Sequence, residues 1–391
     1  MEYNLKLKVG NDNGNSEHDI VINGDIIEQP NVISRVRKAP NVEELNNELF
    51  ISNIENNLIV DIISDEVKTG TYLCGNYALK SGQTVRTINI GYDNDKSKSE
   101  IIMVNTLAQI AGYSVKQAFK DNNLDGKLNV LVDMTTSLPV SQYNKSKANE
   151  FAERFTTSTH LVNVKTPQKN IQVEIKFDFV KVIPEGVTAI FALKNANDEL
   201  FKHYNETNEE NLNKEFFNDK KVLHVAIGEG TTELPITNDI AFDPNFIEGI
   251  NNGIGLAINK SLPEFQDECG QTDISRQKYS EILKDKKHKN NDLALDIIDF
   301  YIDEQADKIL NKAKTEIDRA NNEVDMVVVY GGGSILMREN LEKPLKEICN
   351  RAKVKLLYVD AEYAVTLEAY GLYNFTCSNI FDKIKEISKS K

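Results

Sequence analysis

Strict alternation of apolar and polar side chains opens the chain. Leu5, Leu7 and Val9 are separated by lysines, a period of two that predicts a β-strand over residues 5–9 breaking at Gly10. A short β-branched run, Ile20 to Ile22, follows and ends at Asn23-Gly24, so the segment reads as strand, polar turn, strand. Further strands are predicted over 58–63, 71–74, 128–134, 171–182, 222–227, 326–329 and 355–359. The period changes to 3.6 over 100–119, 145–155 and 251–262, which predicts helices there. The longest helix is predicted over about 291–320, where Leu293, Leu295, Ile297, Ile298, Ile302, Ala306, Ile309 and Leu310 form an apolar stripe. Pro344 is expected in the first turn of a helix that follows Gly331–Gly333. Two more helices are predicted over 362–373 and 379–388.

Strands alternating with helices indicate an α/β protein, and 391 residues are too many for one ordinary core, so two domains are expected. The stretch 204–220 is polar, rich in Asn and poor in aliphatic residues, and reads as a surface insertion or connector. A strand starts directly after it and again runs into a glycine turn, giving a weak internal repeat beginning near residues 5 and 222. Acidic residues outnumber basic ones 60 to 46, for a net charge of −14, which argues against direct DNA binding as the main role. The one dense basic run, 284–289, reads as a solvated helix end or loop. Cys74, Cys269, Cys349 and Cys377 are scattered without paired spacing, as suits reduced thiols in a cytosol. No stretch approaches the ~20 apolar residues that span a bilayer, and the N-terminus lacks the apolar block of a signal peptide. A cytoplasmic protein with no membrane partner is expected.

Three glycine loops and one acidic corner carry candidate chemistry. The first loop, Gly10-Asn11-Asp12-Asn13-Gly14-Asn15-Ser16, exposes successive N–H groups to an anion if it is a tight turn, with Asp12 in reach of a Mg²⁺ through water. Asn, Asp and Gly equally suit a plain hairpin turn. The second, Gly228-Glu229-Gly230-Thr231-Thr232, offers two glycines and two hydroxyls between strand-like segments. The third is an apolar strand running into Gly331-Gly332-Gly333-Ser334 and a helix. Three consecutive glycines cost conformational entropy and suggest a backbone pressed against a nucleotide base, ribose or phosphate. Neither a Walker A loop nor the GxGxxG dinucleotide spacing is present. At Pro184-Glu185-Gly186 a carboxylate sits at a strand-to-helix corner. It is placed either to orient a water as general base or simply to favour the next helix's first turn.

Together the three loops resemble the actin/Hsp70/sugar-kinase superfamily: Asp12-Asn13-Gly14 looks like its phosphate 1 loop, 228–232 like phosphate 2, and 331–333 like the adenosine loop. Tyr72-Leu73-Cys74-Gly75-Asn76-Tyr77-Ala78-Leu79 and Thr136-Ser137-Leu138-Pro139-Val140-Ser141-Gln142-Tyr143 are similar to stretches of bacterial plasmid-segregation actins of the ParM type. The resemblance implies an actin-like α/β fold of two ribonuclease-H-like domains flanking a nucleotide cleft, with residues 1–184 and 363–391 in domain I and 185–362 in domain II. It implies a polymerising ATPase (or GTPase) using Mg²⁺, whose filaments segregate plasmid DNA through a DNA-binding adaptor. Glu185 and Asp12 become the catalytic candidates, with Asp12 also serving the metal. Asn13, Gly14, Asn15, Ser16, Gly228, Glu229, Gly230, Thr231, Thr232, Gly253, Gly331, Gly332, Gly333 and Ser334 become the nucleotide-binding candidates. Two departures stand out. The acid usual at the start of phosphate 2 is Ala226 here, with Glu229 and Glu233 as nearby substitutes, and the phosphate 1 lysine is missing, with His18 or Asp19 in its region. The alternatives are a small-molecule kinase on the same scaffold, with Asp133 its one candidate base, or a nucleotide-bound structural filament that does not hydrolyse.

Overall fold

The alternation at the N-terminus carries further than its first break. A computed structural model, which describes residues 2–40, 46–88 and 95–390, extends the first strand, β1, over Glu2–Asn13. Gly10 lies inside it. A Cβ there would come within 2.2 Å of Tyr373 N and 2.6 Å of Ala369 O, so the glycine lets the Leu367–Thr376 helix pack onto the strand. The strand therefore does not break at Gly10. The residue is small for packing and not for turning.

The chain forms two compact units, Met1–Ala192 with Glu368–Lys391, and Leu193–Leu367. In the first, β2 (Glu17–Ile22), β3 (Asp25–Pro30) and β4 (Val32–Val36) follow β1, then β5 (Ile59–Ser64), β6 (Val67–Cys74), β7 (Arg86–Thr87), β8 (Lys127–Leu138), β9 (His160–Lys165) and β10 (Asn170–Pro184). They make a ten-stranded mixed sheet in the order β3-β2-β1-β8-β10-β9-β5-β6-β4-β7. Only β1, β8 and β10 run parallel to one another, and their apolar positions are buried as parallel strands require. The Glu100–Lys120 helix covers this sheet, from Ile101 to Val115 almost wholly buried.

The second unit holds β11 (Lys221–Ile227), β12 (Thr232–Glu233), β13 (Ile236–Asn238), β14 (Ala241–Phe242), β15 (Gly249–Ile250), β16 (Met326–Tyr330) and β17 (Lys355–Tyr358). Here β11 has antiparallel partners on one side and parallel β16 on the other. That is the arrangement β1 has with β2 and β8, so the repeat starting near 5 and 222 is one of topology. Within the Asn291–Arg319 helix, Ile297, Ile298, Ile302, Ala306 and Ile309 are buried as the stripe required, but Leu295, although in phase with Ile302 and Ile309, is exposed near the start of the helix.

Three further expectations change. Pro344 is the seventh residue of the Arg338–Ala352 helix and not in its first turn. The segment 362–373 is two helices, Ala361–Ala364 and Leu367–Thr376, because the Ala364 carbonyl that would continue the first accepts from Gly331 N at 2.9 Å. The polar stretch 204–220 is not a bare insertion: Tyr204, Leu212 and Phe217 are buried, and Asn205 brackets Leu212 through both its side-chain atoms. Among the described residues no helix is long and apolar enough to cross a membrane.

Candidate functional site

Register brings the chemistry of the first unit to one edge. Asn11 is level with Thr136 across β1 and β8, and Thr136 with Val182 across β8 and β10, so the carboxyl ends of three parallel strands align. Ligands of open α/β sheets bind beyond such an edge. Asp12 and Asn13 are the last residues of β1, and the turn proper is Gly14-Asn15-Ser16. A Cβ on Gly14 would sit 2.9 Å from Glu17 O, which makes the glycine a requirement of the tight turn. The N–H groups of Gly14, Asn15 and Ser16 donate to no described residue, and Asn15 Oδ1 is buried without a partner among them. Three successive free donors suit an anion.

The turn rests on buried amides. Asn31 Nδ2 donates to Gly14 O at 2.7 Å and to Asn13 Oδ1 at 3.3 Å. Asn105, from the covering helix, donates to Asn31 Oδ1 at 2.8 Å, and Asn13 Nδ2 donates to Thr106 Oγ1 at 3.3 Å. His18 is wholly buried with Nε2 2.7 Å from Asn11 Oδ1. Burial pushes its pKa down to about 3, so the ring is neutral and donates through Nε2. It does not supply the cation looked for in its region.

That cation comes from elsewhere. Lys96, in a 3₁₀ turn just before the covering helix, puts Nζ 3.0 Å from Asn13 O and 2.8 Å from Glu185 Oε1. The turn is held by Gln142 Oε1, which accepts from Lys96 N at 3.0 Å, and by Arg154, which donates to Ser97 O at 2.6 Å. Nothing in the local sequence marked Lys96: it stands in Asp95-Lys96-Ser97-Lys98-Ser99-Glu100, a run that reads as solvated charge.

Glu185 sits just past β10, where its N–H donates to Leu138 O at 2.9 Å. The next residue, Gly186, has φ of +83°, which turns the chain away from the sheet. Glu368, a second residue the sequence did not reveal, fixes that corner by accepting from Gly186 N at 3.2 Å and Thr188 Oγ1 at 2.7 Å. Its burial, together with the Asp12 carboxylate, pushes it up to about 8. Asp12 is pushed up to about 7 by burial first and by Glu185 second, with Lys96 opposing. Three coupled carboxyls against one ammonium leave the edge short of positive charge, which fits a divalent cation. Among the described residues no three His, Cys, Asp or Glu side chains gather to chelate one. A Mg²⁺ would therefore rest on Asp12, waters and phosphate oxygens, as Mg²⁺ commonly does.

In the second unit the 228–232 loop joins β11 to β12. Gly228 is exposed and Thr231 half-buried, while Thr232 donates its hydroxyl to Asn252 O at 2.6 Å. Glu229 is ion-paired with Arg276. Gly253 caps the Ile254–Cys269 helix, where a Cβ would lie 2.4 Å from Glu229 O. Gly331 has φ of +94° and packs on Ile227, where a Cβ would come within 2.4 Å, and Gly333 packs on Ile227 and Gly228, where one would come within 2.6 Å. Two of the three glycines are thus explained by contact with the neighbouring strand end, leaving Gly332 exposed. Ser334 turns its hydroxyl back to Gly331 O at 2.8 Å. Ala226 pairs across the ladder with Glu233, whose side chain projects from the same face and is buried. Of the two acids named as substitutes at this position, Glu233 is the one so placed.

Residues 10–187 match the family model described as the N-terminal domain of actin like proteins. No protein with a curated description matches by sequence. The fold is similar to the crystal structure of actin-like protein Alp7A, at 18% identity over 100% of both chains with a TM-score of 0.68. It is also similar to Bacillus thuringiensis ParM with ATP, at 14% identity over 97% of this chain and 99% of that one, TM-score 0.61. The ParM of a 15-stranded filament from Clostridium botulinum gives 20% identity over 95% and 99%, TM-score 0.65. The chain therefore carries an actin-like N-terminal domain and has an actin-like fold throughout.

Proposed function

We propose that this chain is a nucleotide-dependent, polymerising actin-like protein. It binds ATP or GTP with Mg²⁺, hydrolyses it, and forms homopolymer filaments in the cytoplasm that segregate plasmid DNA through a DNA-binding adaptor. The observation that carries the reading is the strand edge where the N–H groups of Gly14, Asn15 and Ser16, which donate to no described residue, lie beside Asp12, Lys96 and Glu185. Support also comes from the likeness to a ParM described with ATP and to a ParM filament.

In this reading the turn's N–H groups and Lys96 hold phosphate oxygens, and the loops at 228–232 and 331–334 complete the nucleotide site. Bound Mg²⁺ supplies charge neutralisation for the phosphates. Asp12 holds the metal's waters and Glu185 orients the attacking water. A head-to-tail contact between identical subunits gives open filaments, and the acidic chain suits an indirect link to DNA.

Sedimentation and electron microscopy with ATP, GTP and no nucleotide test the reading. Nucleotide is expected to give pelletable filaments, and a protein that stays monomeric with both nucleotides at high concentration would sink it. Glu185→Ala is expected to keep nucleotide binding and to slow phosphate release by about 10²-fold. Ala226 favours a second reading, a filament that binds without hydrolysing, and wild-type filaments that form with no phosphate release would select it; phosphate release unchanged by Glu185→Ala would rule out Glu185 as the catalytic residue. A kinase is disfavoured because Asp133 is engaged by Lys385 at 2.6 Å and Lys8 at 3.1 Å.

A further inference from the structure

We infer that Glu368 is a positioning residue for hydrolysis: reaching in from the Leu367–Thr376 helix, it fixes the direction in which Glu185 presents its carboxylate. The inference rests on the reading above in which Glu185 orients the attacking water. Glu185 belongs to no regular element, since β10 ends at Pro184 and the chain turns away at Gly186 with φ of +83°. Its side chain is therefore aimed by the two peptide groups that flank its Cα. The sheet holds the first of them, through the Glu185 N–H that donates to Leu138 O at 2.9 Å. The second joins Glu185 to Gly186, and its N–H donates to Glu368 Oε1 at 3.2 Å. The same oxygen accepts from Thr188 Oγ1 at 2.7 Å, so one buried carboxyl spans the turn. Glycine puts little restraint of its own on the peptide before it, and the bond from Glu368 supplies that restraint.

Glu368 is itself firmly mounted. At the far end of its helix, Thr376 Oγ1 lies 2.9 Å from Val9 O on β1 and 2.7 Å from Thr135 Oγ1 on β8, within hydrogen-bond reach of both. Between these ends the backbone at Tyr373 packs on Gly10 of β1, and Gly371, one turn from Glu368, packs on Thr188 O. Asn374 Nδ2 also donates to Phe191 O at 3.3 Å. The helix is thus a strut seated on the strands that end in Asp12–Asn13 and in Leu138, and its first turn carries that seating to the corner beside Glu185. A carboxylate that must meet a water in line with a breaking bond tolerates little error, because a displacement of about 1 Å can cost on the order of 10²-fold in rate. Nucleotide binding makes no such demand on Glu185, so the effect of Glu368 falls on the chemical step.

Single-turnover phosphate release and ATP binding test this in wild type, Glu368→Met, Glu368→Gln, Glu185→Ala and the Glu368→Met/Glu185→Ala double variant. Methionine keeps the side chain's length without a strong acceptor. Glu368→Met is expected to slow release about 10- to 100-fold while changing nucleotide binding less than about threefold. Glu368→Gln retains the accepting oxygen and is expected to recover most of the lost rate. Because Glu368 acts through Glu185, the methionine substitution is expected to cost less than about twofold further in the Glu185→Ala background. If the methionine variant misfolds, Glu368→Asp, which draws the oxygen back by one methylene, takes its place with the same expected pattern. Release at the wild-type rate in Glu368→Met, a glutamine variant as slow as methionine, a parallel loss of nucleotide affinity, or the full loss repeated in the Glu185→Ala background overturns the inference and leaves the role of Glu185 standing. Wild-type release in Glu185→Ala, or a wild-type protein that releases no phosphate, overturns the hydrolytic reading of Glu185 and this inference with it.

Discussion

At the scale of single residues, the strand edge of the first unit concentrates more negative charge than its one lysine balances. Glu368 shows the consequence: its carboxyl, ordinarily near 4.5, is raised to about 8, with burial the main cause. A carboxyl whose folded value is raised binds a proton in the native state that the unfolded chain has already lost. It therefore costs nothing below about pH 4.5, and its cost grows as pH rises to about 8. Replacing Glu368 by Gln, which imitates the protonated form, is expected to leave stability nearly unchanged at pH 5. At pH 8.5 the gain should be on the order of 1–3 kcal/mol. Urea unfolding at the two pH values checks this, and a gain independent of pH would mean that Glu368 is not the titrating group. His18 works in the other direction. Neutral and buried, with a value near 3, it withdraws stability as pH falls below about 6.5.

Among elements, the docking of the Leu367–Thr376 helix on β1 decides whether Glu368 reaches the site at all. Gly10 permits that docking from the strand, and Gly371 lets the same helix pack on the segment after β10, where a Cβ would lie 2.3 Å from Thr188 O. Both obstacles are backbone, which cannot swing aside as a side chain can. Gly10→Ala and Gly371→Ala are each expected to destabilise the first unit by about 3 kcal/mol or more. Thermal unfolding checks the size of the effect. Gly10→Ala sits in strand geometry with an ordinary φ, so a loss below about 0.5 kcal/mol would show that the helix is free to shift. The 3₁₀ turn with Lys96 is a second such case, since Asp95 caps it locally but Arg154 and Gln142, from the chain beyond β8, also hold it in place.

For the whole molecule, the charge of −14 bears on self-association. Identical acidic subunits repel, and salt shortens the reach of that repulsion from roughly 30 Å at 0.01 M to roughly 10 Å at 0.1 M. If the chain polymerises as proposed, its critical concentration with nucleotide is expected to fall about two- to fivefold over that range. Sedimentation at fixed Mg²⁺ and nucleotide measures it, and a rise instead would point to subunit contacts made by opposite charges.

Period and punctuation alone determined much of this protein. The alternation in β1, the 3.6-residue stripe in the Asn291–Arg319 helix and the three glycine loops were readable because backbone geometry imposes them locally. So was the corner at Glu185, since Pro184 and Gly186 punctuate it. What the sequence misassigned was the break at Gly10, which is small for a helix some 360 residues away, and it gave no sign that Gly331 and Gly333 pack on the end of β11. Lys96 and Glu368 were invisible for the same reason. A lysine among serines and lysines, or a glutamate at a helix start, carries no local mark of burial. Only the parallel register of β1, β8 and β10, with the elements packed upon it, brings an ammonium and three carboxyls to one edge. Tertiary structure thus decided which charges face one another, because electrostatic coupling depends on distance through space and on exclusion of water, neither of which is written in the order of residues.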